Sequence, residues 1–140
     1  MKTLKVILPL PPSVNNQYVT AGRRRVLSKE AKAFKRSVAA IVRDRRMKSP
    51  QEEPLIESLK GEPFACDLTF YFETPYKRDL DGGLKIALDA VCEALELDDR
   101  RVVSLTLTKQ IDPLNPRLEM ELGPAPEWQF DETYVVLDPD

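Results

Sequence analysis

Residues 64–108 read FACDLTFYFETPYKRDLDGGLKIALDAVCEALELDDRRVVSLTLT, and three different periodicities succeed one another in them. Phe64 to Phe72 alternates, with Ala65, Leu68 and Phe70 among its apolar members, as a strand with one face in a core does. From Asp81 to Glu96 the period lengthens. Leu84, Leu88, Val91 and Leu95 fall on one face of a helix. Val102 to Thr108 returns to a β-branched, strand-like pattern. A strand, a helix and a second strand in this order form the centre of a layered domain.

Working outward, Thr3 to Leu8 reads as a first strand, ended by Pro9, Pro11 and Pro12. Pro9 to Gly22 is expected to be a loop, with Asn15 and Asn16 as turn formers. Ser28 is an apt N-cap for a helix reaching about Met47, whose buried stripe is expected to be Ala31, Phe34, Val38 and Ile41. Ser49 to Pro63 is a proline-containing connector with room for one helical turn around Leu55 to Leu59. Arg117 to Leu122 is expected to pair with the strand at 102–108. The order β-α-β-α-β-β predicts an α/β fold of the two-layer α+β kind, with a mixed β-sheet and two main helices. The domain is expected to span residues 1–122. Residues 123–140 form an acidic C-terminal extension, with a strand-like Tyr134–Leu137, expected to pack on the domain or on a dimer partner.

Composition narrows the chemistry. The 140 residues contain no histidine, which excludes Ser-His-Asp and Cys-His nucleophile systems and His-ligated zinc. Two cysteines, Cys66 and Cys92, are too few for a four-thiolate metal site and read as reduced, buried residues of a cytoplasmic protein. No apolar run reaches membrane-spanning length. Catalysis must rest on carboxylates, lysine, arginine or a metal ion.

The net charge of −2 conceals a polarity. Residues 1–48 carry thirteen basic and two acidic side chains, a net of +11, and the other 92 carry eight basic and twenty-one acidic, a net of −13. A basic helix packed beside acidic neighbours accounts for this as well as a phosphate-binding face does.

The segment Lys77-Arg78-Asp79-Leu80-Asp81-Gly82-Gly83-Leu84-Lys85, followed by Leu97-Asp98-Asp99, carries the chemical signal. Asp79 and Asp81 stand where a strand gives way to a helix, and Asp81, Lys85 and Asp89 recur at four-residue intervals along it. Carboxylates gathered in one place repel unless a divalent cation or a proton intervenes. Mg²⁺ binds through a few carboxylates, waters and substrate phosphate oxygens, the combination that phosphodiester hydrolysis uses. On spacing alone a second reading stays open. Asp81–Lys85–Asp89 is also an ion-pair ladder, Asp79 or Asp81 could cap the helix, and Asp98–Asp99 could be a turn.

At these motifs the chain resembles the RusA-type Holliday junction resolvases. Leu8-Pro9-Leu10-Pro11-Pro12-Ser13-Val14-Asn15-Asn16 is similar to that family's N-terminal signature, and Arg78-Asp79-Leu80-Asp81 with Lys85, then Leu97-Asp98-Asp99 ahead of a Val-Val strand, to its catalytic motifs. The resemblance runs from about residue 4 to 122. It implies a bacterial or phage-encoded homodimeric endonuclease that nicks four-way DNA junctions symmetrically with Mg²⁺ or Mn²⁺, leaving 5′-phosphate and 3′-hydroxyl ends. No nucleotide cofactor and no membrane are implied.

By this resemblance Asp79, Asp81 and Asp99 are catalytic metal ligands, Asp98 is a further acidic member and Lys85 a functional lysine. Arg78 is expected to meet a phosphate. Arg23, Arg24, Arg25, Lys29, Lys32, Lys35 and Arg36 are expected to track the DNA backbone. Gly82 stands where relatives usually have Asn, and the interval from Lys85 to Asp98 is slightly short. Two rivals accompany the expectation: a phage-type nuclease for other branched DNA, and a DNA-binding module without catalysis.

Overall fold

Strand β1 (Leu4–Leu8) alternates buried and exposed positions and stops at the prolines, which fix φ and remove a backbone donor. The computed structural model to which it belongs describes residues 2–125 together with 128, 129 and 131. The expected loop then proves structured. A 3₁₀ turn over Val14–Asn16 leads into a hairpin of β2 (Tyr18–Ala21) and β3 (Arg24–Leu27), paired from Tyr18 opposite Leu27 to Ala21 opposite Arg24. Gly22 closes it at φ +66°, a left-handed conformation that glycine adopts without steric cost. The sequence hides this hairpin because Arg23, Arg24 and Arg25 break the apolar alternation and its β2 residues are exposed.

Helix α1 (Lys29–Lys48) starts where Ser28 predicts, the Ser28 Oγ accepting from the Ala31 amide at 3.1 Å. Its buried stripe is Ala31, Phe34, Val38 and Val42, with the expected Ile41 only partly buried. The connector holds a helix of its own, α2 (Glu53–Gly61), which has a proline in its first turn and buries Ile56 and Leu59. Among the described residues the two main helices expected are thus joined by a shorter third α-helix, over the helical turn expected at Leu55 to Leu59.

Strand β4 (Phe64–Phe72) leads through a loop to α3 (Leu84–Leu95), a 3₁₀ turn at Asp99–Arg101, then β5 (Val102–Ile111) and β6 (Arg117–Pro124). The main sheet runs β1-β6-β4-β5; β5 is parallel to β4, and β6 is antiparallel to both β4 and β1. The expected pairing of 117–122 with 102–108 is thus corrected. β6 crosses to the far side of β4, where Leu118, Met120 and Leu122 are buried between β4 and β1, while β5 takes the edge. Mixed pairing confirms the predicted class.

Alternate β4 residues Phe64, Cys66, Leu68, Phe70 and Phe72 join those three β6 side chains in one core with the helices' buried faces. Each such large side chain contributes on the order of 1.5–3 kcal/mol when fully buried. Both cysteines are free and buried, and burial pushes each thiol up to about 12. The strand-like 134–137 segment lies outside the described residues.

The parallel β4–α3–β5 unit sets where the acidic motifs lie. It places Asp79 beyond the end of β4 and Asp99 before the start of β5, beside the beginning of β4. Helix α3 spans the interval between them.

Candidate active site

The loop after Phe72 makes two consecutive tight turns, with Gly82 N–H donating to the Asp79 carbonyl at 3.3 Å and Leu84 N–H to that of Asp81 at 3.1 Å. Both aspartate side chains are left exposed. Neither caps α3, whose N-cap is Gly83 without a side-chain bond, so the capping alternative is not realised.

What fixes the loop comes from the N-terminal proline segment. A Cβ on Gly83 would collide with the Pro11 ring. Arg78 Nη2 donates to the Pro11 carbonyl at 2.6 Å, and Gln17 Nε2 to the Gly82 carbonyl at 2.7 Å. The two motifs picked out in the sequence, some seventy residues apart, are thus one structural unit. Between them lies a cleft of about 160 Å³ lined by Ser13, Asn15, Tyr76, Lys77 and Asp79 among others.

Arg78 is not a free surface cation. Its guanidinium lies over the Phe72 ring at 5.2 Å, its Nε is buried without a partner, and burial lowers its pKa. In this structure it braces the loop from within.

Along α3, Lys85 Nζ and Asp89 Oδ2 are 3.2 Å apart, so the expected ladder exists at that rung; no Asp81–Lys85 ion pair forms within 4 Å among the described residues. Beyond it the chain returns Asp99 to the same place. Its carboxyl lies within hydrogen-bonding reach of Asp89, and this contact, with some burial, raises its pKa against the opposing pull of Lys85. Asp98 is held elsewhere. Arg100 donates to it from its backbone at 3.0 Å and from its guanidinium at 3.1 Å, holding that carboxyl below the usual aspartate range.

The structure therefore gathers Lys85, Asp89 and Asp99, ties Asp98 to Arg100, and leaves Asp79 and Asp81 just ahead of the N-terminal end of α3. Among the described residues no three acidic or thiol groups stand together as a ready metal cage. The donor set is nonetheless all carboxylate oxygen, which suits a hard divalent cation. The close approach of Asp89 and Asp99 is a repulsion that such a cation, held by these carboxylates, would relieve. Asp89 is the member that sequence reading leaves out of the site. Its four-residue spacing from Lys85 is the available signal, and it reads equally well as a surface ion pair.

The predicted phosphate-binding residues divide. Arg23, Arg24 and Arg25 are exposed on the hairpin, Arg25 lying over the Tyr18 ring at 5.0 Å. Lys29, Lys32 and Arg36 are exposed on α1. Lys35 instead pairs with Glu93 of α3 at 2.9 Å, joining the two helices. Further along α1, Arg45 and Arg46 form two-pronged pairs with Glu52 and Glu53. Part of the basic excess is thus neutralised within the chain, while the hairpin arginines are exposed.

Residues 9–123 match the family model described as Endodeoxyribonuclease RusA, a span that holds both the proline segment and the carboxylate motifs. The chain belongs to the RusA endodeoxyribonuclease family. It is 30% identical over 124 residues to the crossover junction endodeoxyribonuclease RusA of Escherichia coli strain K12, covering 87% of this chain and 95% of that relative. The proteins of the same name from Shigella sonnei and Enterobacteria phage 82 are each 29% identical over 124 residues, with the same coverage. In this RusA-family chain the match ends within β6, so residues 124–140 lie beyond it.

Proposed function

We propose that the protein is a Mg²⁺-dependent, structure-selective endonuclease that resolves four-way DNA junctions as a homodimer, by paired symmetric nicks. The observation that carries this reading is the union of the two family motifs in one braced loop, with Asp79 and Asp81 exposed at its surface. The names of the relatives, all crossover junction endodeoxyribonucleases, supply the substrate class. Two equivalent strands in a junction call for two equivalent active sites, which a two-fold dimer provides.

By the family resemblance Asp79, Asp81 and Asp99 would be the Mg²⁺ or Mn²⁺ ligands, with Asp98 a further acidic member. In this structure Asp99 stands with Asp89, while Asp79 and Asp81 lie at the other end of the β4–β5 pair. A cation shared by all three requires them to be brought closer than they lie here. When bound, such a cation polarises the phosphodiester and lowers the pKa of an attacking water. Lys85, exposed and paired with Asp89, offers a cation to the charge that builds on the phosphate oxygens. The exposed arginines of the hairpin hold backbone phosphates and align the strand.

Asp79→Asn tests the assignment directly. Expected is loss of cleavage of a labelled four-way junction by about a hundredfold or more, with junction affinity unchanged, because a metal ligand is removed and no phosphate-binding group is. Cleavage surviving both Asp79→Asn and Asp81→Asn overturns the active-site proposal.

A further inference from the structure

Two polar side chains are buried among the described residues, Gln17 at 4% exposure and Ser28 at 2%. They stand at the two ends of the hairpin. Gln17 immediately precedes β2 and Ser28 immediately follows β3. Ser28 N–H donates to the Gln17 carbonyl at 2.9 Å, and its Oγ donates to the Asn16 carbonyl at 2.5 Å, so the base of the hairpin is clamped shut.

The Gln17 side chain turns away from the hairpin. Its Nε2 donates to the Pro12 carbonyl at 3.0 Å and to the Gly82 carbonyl at 2.7 Å, across 65 residues of sequence. An amide nitrogen has two hydrogens, and both are spent here. One anchors the proline segment. The other reaches the residue immediately after Asp81. The hairpin itself carries Arg23, Arg24 and Arg25, exposed, directly after the Gly22 turn. A rigid connection therefore runs from a basic element to the backbone that carries two of the carboxylates.

We propose that Gln17 is a positioning residue that couples the hairpin to the carboxylate loop, so that a phosphate backbone held by Arg23–Arg25 steadies Asp79 and Asp81. This rests on the nuclease reading above and adds to it a device linking substrate grip to site geometry. Removing a buried donor leaves two carbonyls unsatisfied and the loop free to shift. Gln17 acts through the Gly82 carbonyl.

The experiment compares wild type with Gln17→Leu, which keeps the volume and removes both donors. Amide hydrogen exchange is followed with and without a four-way junction, in the absence of metal. In wild type the junction is expected to slow exchange both in the hairpin and at residues 82–84. In Gln17→Leu the slowing is expected in the hairpin alone, with interior amides of α3 unchanged as the control for folding. With Mg²⁺ present, the single-turnover cleavage rate is expected to fall about tenfold or more, as loss of a buried hydrogen bond predicts, while junction affinity stays within about twofold of wild type.

If Gln17→Leu fails to fold, Gln17→Asn, too short to span both carbonyls, is judged by the same readouts. A variant that protects residues 82–84 on junction binding as wild type does, or that weakens affinity and cleavage in parallel, overturns the coupling while leaving the nuclease reading in place. A wild-type protein that binds no junction overturns both.

Discussion

At the residue scale the most telling interaction is between Asp89 and Asp99. Two carboxyl groups within hydrogen-bonding reach hold a proton more tightly than either alone, so the folded chain raises the Asp99 pKa above its ordinary value. A raised carboxyl pKa means the folded state binds the proton better than the unfolded state does. The favourable contribution is present at acid pH and is lost as pH rises from the ordinary aspartate range through the raised value. At neutral pH this pair therefore opposes folding. Asp89→Asn is expected to raise the melting temperature at pH 7, by roughly 4 °C for each kcal/mol of repulsion relieved in a chain this size, and to flatten the fall in stability as pH rises above the ordinary aspartate range. Thermal melts across that range check it. Cleavage is expected to decline in the same variant, the mark of a site kept for function rather than stability.

At the scale of elements, the hairpin and the connector show where the sequence is opaque. The central strand, the helix ending near Leu95 and the Val102 strand are legible because one period holds over many residues. The Ser28 cap is legible because the bond its Oγ accepts from the Ala31 amide is local. The β2–β3 hairpin is not, since its strands are four residues long, exposed on β2 and loaded with arginine. Its pairing depends on Gln17 and Ser28, whose bonds are long-range and leave no periodic trace. The neighbour of β6 is equally hidden, because an alternating strand shows which face is buried but not which strand lies beside it. Of the site, Asp79, Asp81, Lys85 and Asp99 are legible as a motif. That Arg78 braces Pro11 and that Lys35 pairs with Glu93 is not, because both arrangements depend on tertiary neighbours.

The hairpin and the α1–α2 junction can each be tested as elements. Replacing Arg23, Arg24 and Arg25 with alanine is expected to reduce the slope of log affinity against log salt by about 0.9 for each phosphate no longer neutralised. Titrating junction binding between low and moderate salt measures it, and an unchanged slope removes the hairpin from the DNA interface. At the α1–α2 junction, Arg45 and Arg46 hold Glu52 and Glu53 below the usual carboxylate range, so these pairs support folding at neutral pH and are lost as pH falls through the depressed values. Glu52→Gln is expected to cost about 0.5–1 kcal/mol at pH 7, the scale of a partly exposed pair, and nothing at strongly acid pH. Denaturant midpoints at the two pH values decide it.

At the scale of the whole molecule, the charge polarity has a structural explanation in two parts. One share of the basic third is consumed internally by Glu52, Glu53 and Glu93. The remainder, on the hairpin and the near end of α1, is exposed and attached to the loop of Asp79 and Asp81. With no histidine in the sequence, the proposed hydrolysis rests on carboxylates, Lys85 and a divalent cation, and the candidate side chains lie before, on and after α3. As a whole, this assembly is expected to cut branched DNA at two symmetric positions. Incubating the protein with an end-labelled mobile four-way junction and Mg²⁺, and mapping both strands of like polarity, tests it most directly. Paired nicks at symmetry-related positions, ligatable, dependent on the cation and absent from linear duplex, are the expected result; no nicks with Mg²⁺ or Mn²⁺, or equal cutting of duplex and junction, would contradict it.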